Sequence, residues 1–198
     1  MTMLRALPFV CAVILGGGAF GLPAFVSPAM AQNKADDDFM AAKDNAKLHV
    51  ASGYVCQARE GRFERDAVGN TDVELGADFC AYSGLDGAYA TVTLSPLRSG
   101  YNPKTSLTPQ FEEQQATGGR MIGQKTVSFG EPPLSVYTRQ YETSKLENLV
   151  YTVEFASAAV RNWVVEVTLE YADPRDTPES KDFLKKVYLQ AMAQIGGK

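Results

Sequence analysis

Histidine is almost missing from this 198-residue chain: His49 is the only one. A serine or cysteine nucleophile needs a positioned base, most often an imidazole, so a lone histidine argues against hydrolases of that type. It also leaves too few soft ligands for a zinc site. Basic charge is scarce as well, with 19 Lys+Arg against 23 Asp+Glu and a formal net charge of −4. That balance gives no electrostatic footprint for nucleic acid and reads as solubility. Long apolar runs are confined to the N-terminal stretch; no later segment is long and apolar enough to cross a membrane as a helix.

That N-terminal stretch has the form of an export leader. Arg5 precedes an uncharged apolar run over residues 6–26, and Ala29-Met30-Ala31 supplies the A-x-A tripeptide that signal peptidase cuts after. Residues 1–31 are expected to be a cleaved signal peptide, with the mature chain starting at Gln32, located in the periplasm and not inserted in the membrane. The rival reading, a retained anchor, is opposed by Gly16, Gly17, Gly18, Gly21, Pro23 and Pro28, which interrupt the run. Cys11 follows Pro8-Phe9-Val10 instead of a lipobox and leaves with the leader. Two cysteines then remain, Cys56 and Cys80, and an even count in an exported protein reads as one disulfide. A redox-active pair would sit in C-x-x-C; these are far apart and read as a structural staple, worth on the order of 3 kcal/mol by loop entropy.

The mature chain divides into a polar segment, 32–50, and a single α+β domain, 51–198, long enough to bury its own core. Residues 32–47 are polar and alanine-rich and read as a loose tail or short helix. Strand signals then dominate. Residues 50–58 and 63–66 flank Glu60-Gly61 as a hairpin, and 68–76 is turn-rich, the loop that the disulfide closes. Residues 79–82 and 88–97 make a second hairpin, with Ala88, Ala90, Val92 and Leu94 on one face. Residues 96–103 read as loop, and Thr108-Pro109 as a cap followed by proline in the first turn of a helix that stops at Gly118-Gly119. Strands follow at 121–129 and 134–141. The next carries Leu149, Tyr151, Val153 and Phe155 on one face, and the last, 163–171, carries Val165, Val167, Leu169 and Tyr171 on one face. Thr177-Pro178-Glu179 opens a closing helix whose apolar stripe is Leu184, Val187, Tyr188, Ala191, Met192 and Ile195. The order predicts an antiparallel β-sheet with helices packed on it.

Strand 88–97, the helix after Thr108-Pro109, the meander 134–171 and the closing helix together resemble the α/β/α sandwich of the PsbP family and of the DcrB-type bacterial envelope proteins. The resemblance covers roughly residues 54–195. It implies a PsbP-like sandwich and a non-catalytic accessory or binding role, and it carries no functional residue over. The Cys56–Cys80 disulfide departs from the usual pattern of that superfamily.

Few motifs carry chemistry. Gly16-x-Gly18-x-x-Gly21 matches a dinucleotide fingerprint but lies in the leader, and 118–126 nearly spells a phosphate loop but runs from helix into strand. Asp36-Asp37-Asp38 lacks the spacing of a calcium loop and reads as a solvated tail. Glu166 and Glu170 share a strand face with Thr168 and read as solvent-facing, although they are the pair a carboxylate-dependent periplasmic hydrolase would use. Two surfaces stand as binding candidates. Arg59, Arg62 and Arg65 surround the first hairpin, with Phe63 among them, and suit an anionic ligand or partner. Tyr137, Arg139 and Tyr141 fall on one face of one strand, where the guanidinium stacks between rings. The reading is an exported, disulfide-stapled, non-catalytic binding or envelope-accessory protein. Its partner is an envelope protein or a small ligand, and no metal, cofactor or nucleic acid is expected. The hydrolase and a purely structural partner of an envelope complex are the alternatives.

Overall fold

The computed structural model describes residues 38–84, 87–146 and 149–196. The leader, its cleavage point, the glycine pattern within it and Asp36-Asp37 therefore lie outside the described residues. Among the described residues, eight antiparallel strands form one sheet in the order β4-β5-β6-β7-β11-β10-β9-β8. These are β4 (Arg59–Glu60), β5 (Phe63–Asp72), β6 (Ala77–Ser83), β7 (Tyr89–Pro96), β8 (Arg120–Phe129), β9 (Leu134–Leu146), β10 (Leu149–Val160) and β11 (Trp163–Asp173). A smaller sheet, β1 (Phe39–Ala41), β2 (Lys47–His49) and β3 (Val55–Cys56), pairs in the order β1-β2-β3.

Period-two alternation decides which face each strand buries. Ala90, Val92 and Leu94 of β7 and Val165, Val167, Leu169 and Tyr171 of β11 are buried on one face, as their spacing predicts. Against that face lies helix α3 (Thr177–Gln194), which contributes Phe183, Leu184, Val187, Tyr188 and Ala191 to the same core. The Tyr188 hydroxyl donates to the carbonyl of Val165 (3.1 Å), so the one polar atom of that ring is satisfied inside the core. Met192 sits only half-buried at the edge of the stripe. On the opposite face, α1 (Pro103–Ser106) and α2 (Thr108–Ala116) bring Leu107 and Phe111 onto Tyr137, Tyr141, Val153 and Phe155. The result is an α+β fold, an antiparallel sheet with helices on both faces.

Several local readings are corrected. The stretch expected to be a loose tail or short helix is strand at β1 and β2, because Phe39 finds a place in the main core at 3% exposure. The expected turn-rich loop 68–76 is mostly strand: β5 runs to Asp72 and pairs along β6, absorbing its poor strand formers in register shifts between Arg65/Ala67 and Asn70/Asp72. Gly69 is required there, since a Cβ would lie 2.8 Å from the ring of its cross-strand partner Phe79. The expected loop 96–103 ends in α1, capped by Asn102, whose side chain accepts from the Lys104 N–H (2.9 Å). The helix starts also shift: Thr108 and Thr177 are the first residues of α2 and α3, not their caps, and Asp176 precedes α3. The central strand β10 is covered on both faces, so even Glu154 is buried, accepting from Gln140 Nε2 (2.9 Å) and the Tyr171 hydroxyl (3.2 Å).

Candidate functional site

Helices α1 and α2 lie over β9 and β10. Beyond them, over β7 and β11, the sheet opens into a cleft of about 520 Å³. Its floor carries Thr93, Ser95, Val164 and Glu166; the 98–102 loop, Ser106 and Gln110 wall one side, and Asp72 and Leu75 the other. A cross-strand row sets the chemistry, because Ser157 on β10 opposes Glu166 on β11, which opposes Thr93 on β7. The Ser157 hydroxyl donates to Glu166 Oε1 (3.2 Å), and the Tyr101 hydroxyl lies 2.8 Å from Ser157 Oγ. Ser106 Oγ joins the cluster 3.2 Å from Ser157 Oγ. With the Ser157 proton committed to Glu166, Tyr101 is the donor to Ser157. Burial raises the Tyr101 pKa, so its hydroxyl keeps that proton.

Glu166, expected to face solvent, is therefore a half-buried carboxyl under α1. Among the described residues no Lys or Arg pairs with it. Burial lifts its pKa above the ordinary carboxylate value, and hydrogen bonds from Ser106 and Ser157 only partly offset this. The folded state consequently holds the proton more tightly than the unfolded chain, so stability is full below the unfolded value, about 4.3, and declines as pH rises through the folded one. Glu166→Gln, which keeps the shape and removes the charge, is expected to raise the melting temperature at neutral pH and flatten its pH dependence; calorimetry from pH 4 to 8 checks this, and an unchanged profile refutes it. Glu170 does not join Glu166. It is exposed beside Tyr89, four residues along the strand, roughly 13 Å away at ~3.3 Å per residue. Paired carboxylates in glycoside hydrolysis stand within about 10 Å.

The two candidate surfaces take different forms. The Arg139 guanidinium lies 3.8 Å from the centre of the Phe111 ring and donates to the hydroxyls of Tyr137 (3.2 Å) and Tyr141 (3.3 Å) and to Gln124 Oε1 (3.2 Å). It thereby ties β9 to α2 and β8. Arg59, Arg62 and Arg65 divide: Arg59 pairs with Glu64, Arg62 with Glu179 (3.2 Å), and Arg65 donates to the carbonyls of Cys56 and Asn45 (2.6 Å each). Arg59 and Arg62 share a shallow hollow of about 300 Å³, while Arg65 turns inward and fastens the small sheet.

His49 is buried in a polar chain that its isolation in the sequence concealed. Its Nδ1 lies 2.6 Å from Ser52 Oγ and its Nε2 2.9 Å from Asp78 Oδ2, while Asn70 donates to Asp78 Oδ1 (2.8 Å) and the Tyr54 N–H donates to Ser52 Oγ (3.1 Å). Every group is satisfied when the proton sits on Nε2 and the Ser52 hydroxyl donates to Nδ1. The three residue types of a hydrolase relay are thus contiguous, but Nδ1 instead of Nε2 faces the serine, and Ser52 is 4% exposed. As arranged, the chain fastens β2 to β6. Cys56 and Cys80 form the expected disulfide, with Cα atoms 6.2 Å apart, and it links β3 of the small sheet to β6 of the large one. No three His, Cys, Asp or Glu side chains among the described residues gather closely enough to hold a metal ion.

The residues around Glu166 escaped a linear reading because Tyr101 and Ser106 stand 56 and 51 positions from Ser157. The available signal was Ser157 itself, a polar residue at a buried position in the apolar run 155–160. Beyond this chain, no family model and no curated protein matches it. Among solved structures, the fold is similar to cyanobacterial PsbP (CyanoP) from Synechocystis sp. PCC 6803, at 14% identity and a TM-score of 0.40, over 67% of this chain and 92% of that one.

Proposed function

We propose that this chain is an exported, non-catalytic binding or envelope-accessory protein and that the Glu166 cleft is its ligand surface. The observation that carries the reading is an open cleft whose carboxyl has no cationic partner among the described residues. An isolated half-buried charge is destabilising, and such groups concentrate where a ligand completes the site. The volume, about 520 Å³, suits a small molecule or one side chain of a partner protein. The leader-like residues 1–31 and the Cys56–Cys80 bridge support export, since disulfides persist in oxidising compartments.

Amide NMR of the exported protein against a mixed library of cationic, neutral and anionic metabolites tests the cleft. Shifts at Thr93, Tyr101, Ser157 and Glu166 are expected, and a library with no binder at these amides refutes the reading. Export has its own check: the mature protein should have an intact mass beginning at Gln32 and partition with the periplasm. A retained leader in a carbonate-resistant membrane fraction would overturn the localisation.

A further inference from the structure

The polar groups of the cleft are unequally matched. Glu166 offers two carboxyl oxygens and receives serine hydroxyls. Gln110, on α2, lines the same cleft, and its Oε1, shielded from solvent, has no hydrogen-bond partner among the described residues. The hydroxyls nearest Glu166 are already engaged: Tyr101 with Ser157, Ser157 with Glu166, and Ser106 shared among Ser157, Glu166 and the carbonyl of Pro103. Asp72 adds a second carboxylate at the wall, where one oxygen accepts from the N–H groups of Glu74 and Leu75 (3.0 and 2.9 Å). The basic residue of the lining, Arg98, is exposed and donates to the carbonyl of Leu75 (3.3 Å) instead of to Glu166. Around Glu166, therefore, the neighbouring hydroxyls are committed and no charged donor among the described residues reaches the carboxyl, the Arg98 guanidinium being held at the wall.

Three ligand classes meet this surface differently. An anion faces the Glu166 carboxyl and is repelled. A neutral polyol supplies donors but leaves the buried charge uncompensated. A cation with N–H groups answers both deficits, because a charge-assisted bond to a desolvated carboxylate is stronger than a neutral one, and the orphan amide oxygen of Gln110 takes a second N–H. Leu75, Pro96, Pro109 and Val164 line the cleft with apolar surface for an alkyl chain.

We propose that the Glu166 cleft binds small organic cations, compounds bearing a primary ammonium or guanidinium group on a short alkyl chain, with Glu166 as counter-ion and Gln110 Oε1 as second acceptor. The proposal rests on the reading of this cleft as the ligand surface and adds the ligand's chemical class. The Glu166 pKa, raised by burial, agrees with a carboxyl awaiting a cation.

Agmatine and cadaverine, with glucose as neutral and glutarate as anionic control, are titrated into the exported protein by calorimetry and amide NMR. The two cations should saturate with shifts at Thr93, Tyr101, Ser157 and Glu166, and their binding should weaken as salt rises. Glu166→Gln should weaken it by about tenfold or more, as removing one partner of a desolvated charge pair does. Gln110→Leu should weaken it by a smaller factor, and each variant is first shown to keep the wild-type amide spectrum away from the cleft. Cation binding that survives Glu166→Gln unchanged overturns the proposal. Glucose saturating the same amides while the cations do not also overturns it, yet leaves the cleft a ligand site. Silence from all four probes overturns the proposal, and the library screen then decides the broader reading on its own.

Discussion

His49→Ala is expected to cost about 3–5 kcal/mol in denaturant unfolding, from a buried carboxylate and hydroxyl left without their partner and from the cavity that truncating a buried ring leaves. The imidazole is fully buried, and its loss strips Asp78 of the Nε2–H donor and leaves the Ser52 hydroxyl without its acceptor. Asp78 would remain 5% exposed with Asn70 as its donor. The ring also packs against Phe39 (5.1 Å between centroids) and edge-on to Trp163 (5.2 Å), so a cavity opens as well. Trp163 is the one tryptophan of the chain, and its fluorescence follows the unfolding and reports the local environment at once. A loss under 1 kcal/mol would mean that the buried chain is not the fastening its geometry describes. Ligand binding in the Glu166 cleft should persist wherever the variant folds, because that cleft lies on the opposite face of the sheet.

Changing Cys56 and Cys80 together to serine should cost about 2–4 kcal/mol, the usual range for a native bridge. The bridge spans a sequence separation of 24 and both cysteines are fully buried. Its position gives the cost a structural meaning. Cys80 and Asp78 stand two residues apart on the same face of β6, so the disulfide and the His49 chain hold the small sheet at neighbouring points. Once one fastening is gone, the small sheet is freer to leave and the second holds less. Combining His49→Ala with the double serine variant should therefore destabilise by clearly less than the two separate effects added together, a coupling expected of neighbours. Strict additivity would show that the two fastenings act on separate units. Non-reducing peptide mapping of the protein isolated from its native cells tests the bridge directly, and free thiols at both positions would refute it. Loss of an assayable activity at unchanged stability would replace the staple by a redox role.

Much of the fold is legible along the chain because its signals are local. The alternation of Val165, Val167, Leu169 and Tyr171, the stripe of α3 and the glycines after α2 each declare an element within a dozen residues, and the pairing of Cys56 with Cys80 follows once Cys11 is set apart in the leader-like stretch. Other elements depend on a neighbour. Gly69 to Asp72 makes poor strand by composition and becomes strand because β6 offers it a full ladder. Phe39 sits in a polar, alanine-rich stretch and becomes part of a strand because a place in the core is open to it.

The α+β order of elements, the faces that the apolar residues of β7, β11 and α3 bury, and the disulfide partners are written along the chain. All of these follow from periodicity and parity, which need no knowledge of distant contacts. The roles of the polar residues, by contrast, come from what the fold packs against them. Glu166 reads as solvent-facing on its own strand, and it is α1, folded back over β10 from more than fifty positions away, that turns it into a half-buried carboxyl beside Ser106 and Ser157. His49 reads as alone, and it is β6, 29 positions on, that supplies Asp78. A side chain's charge and hydrogen-bonding capacity are written in its identity, but its solvation and its partners are set by what packs over it.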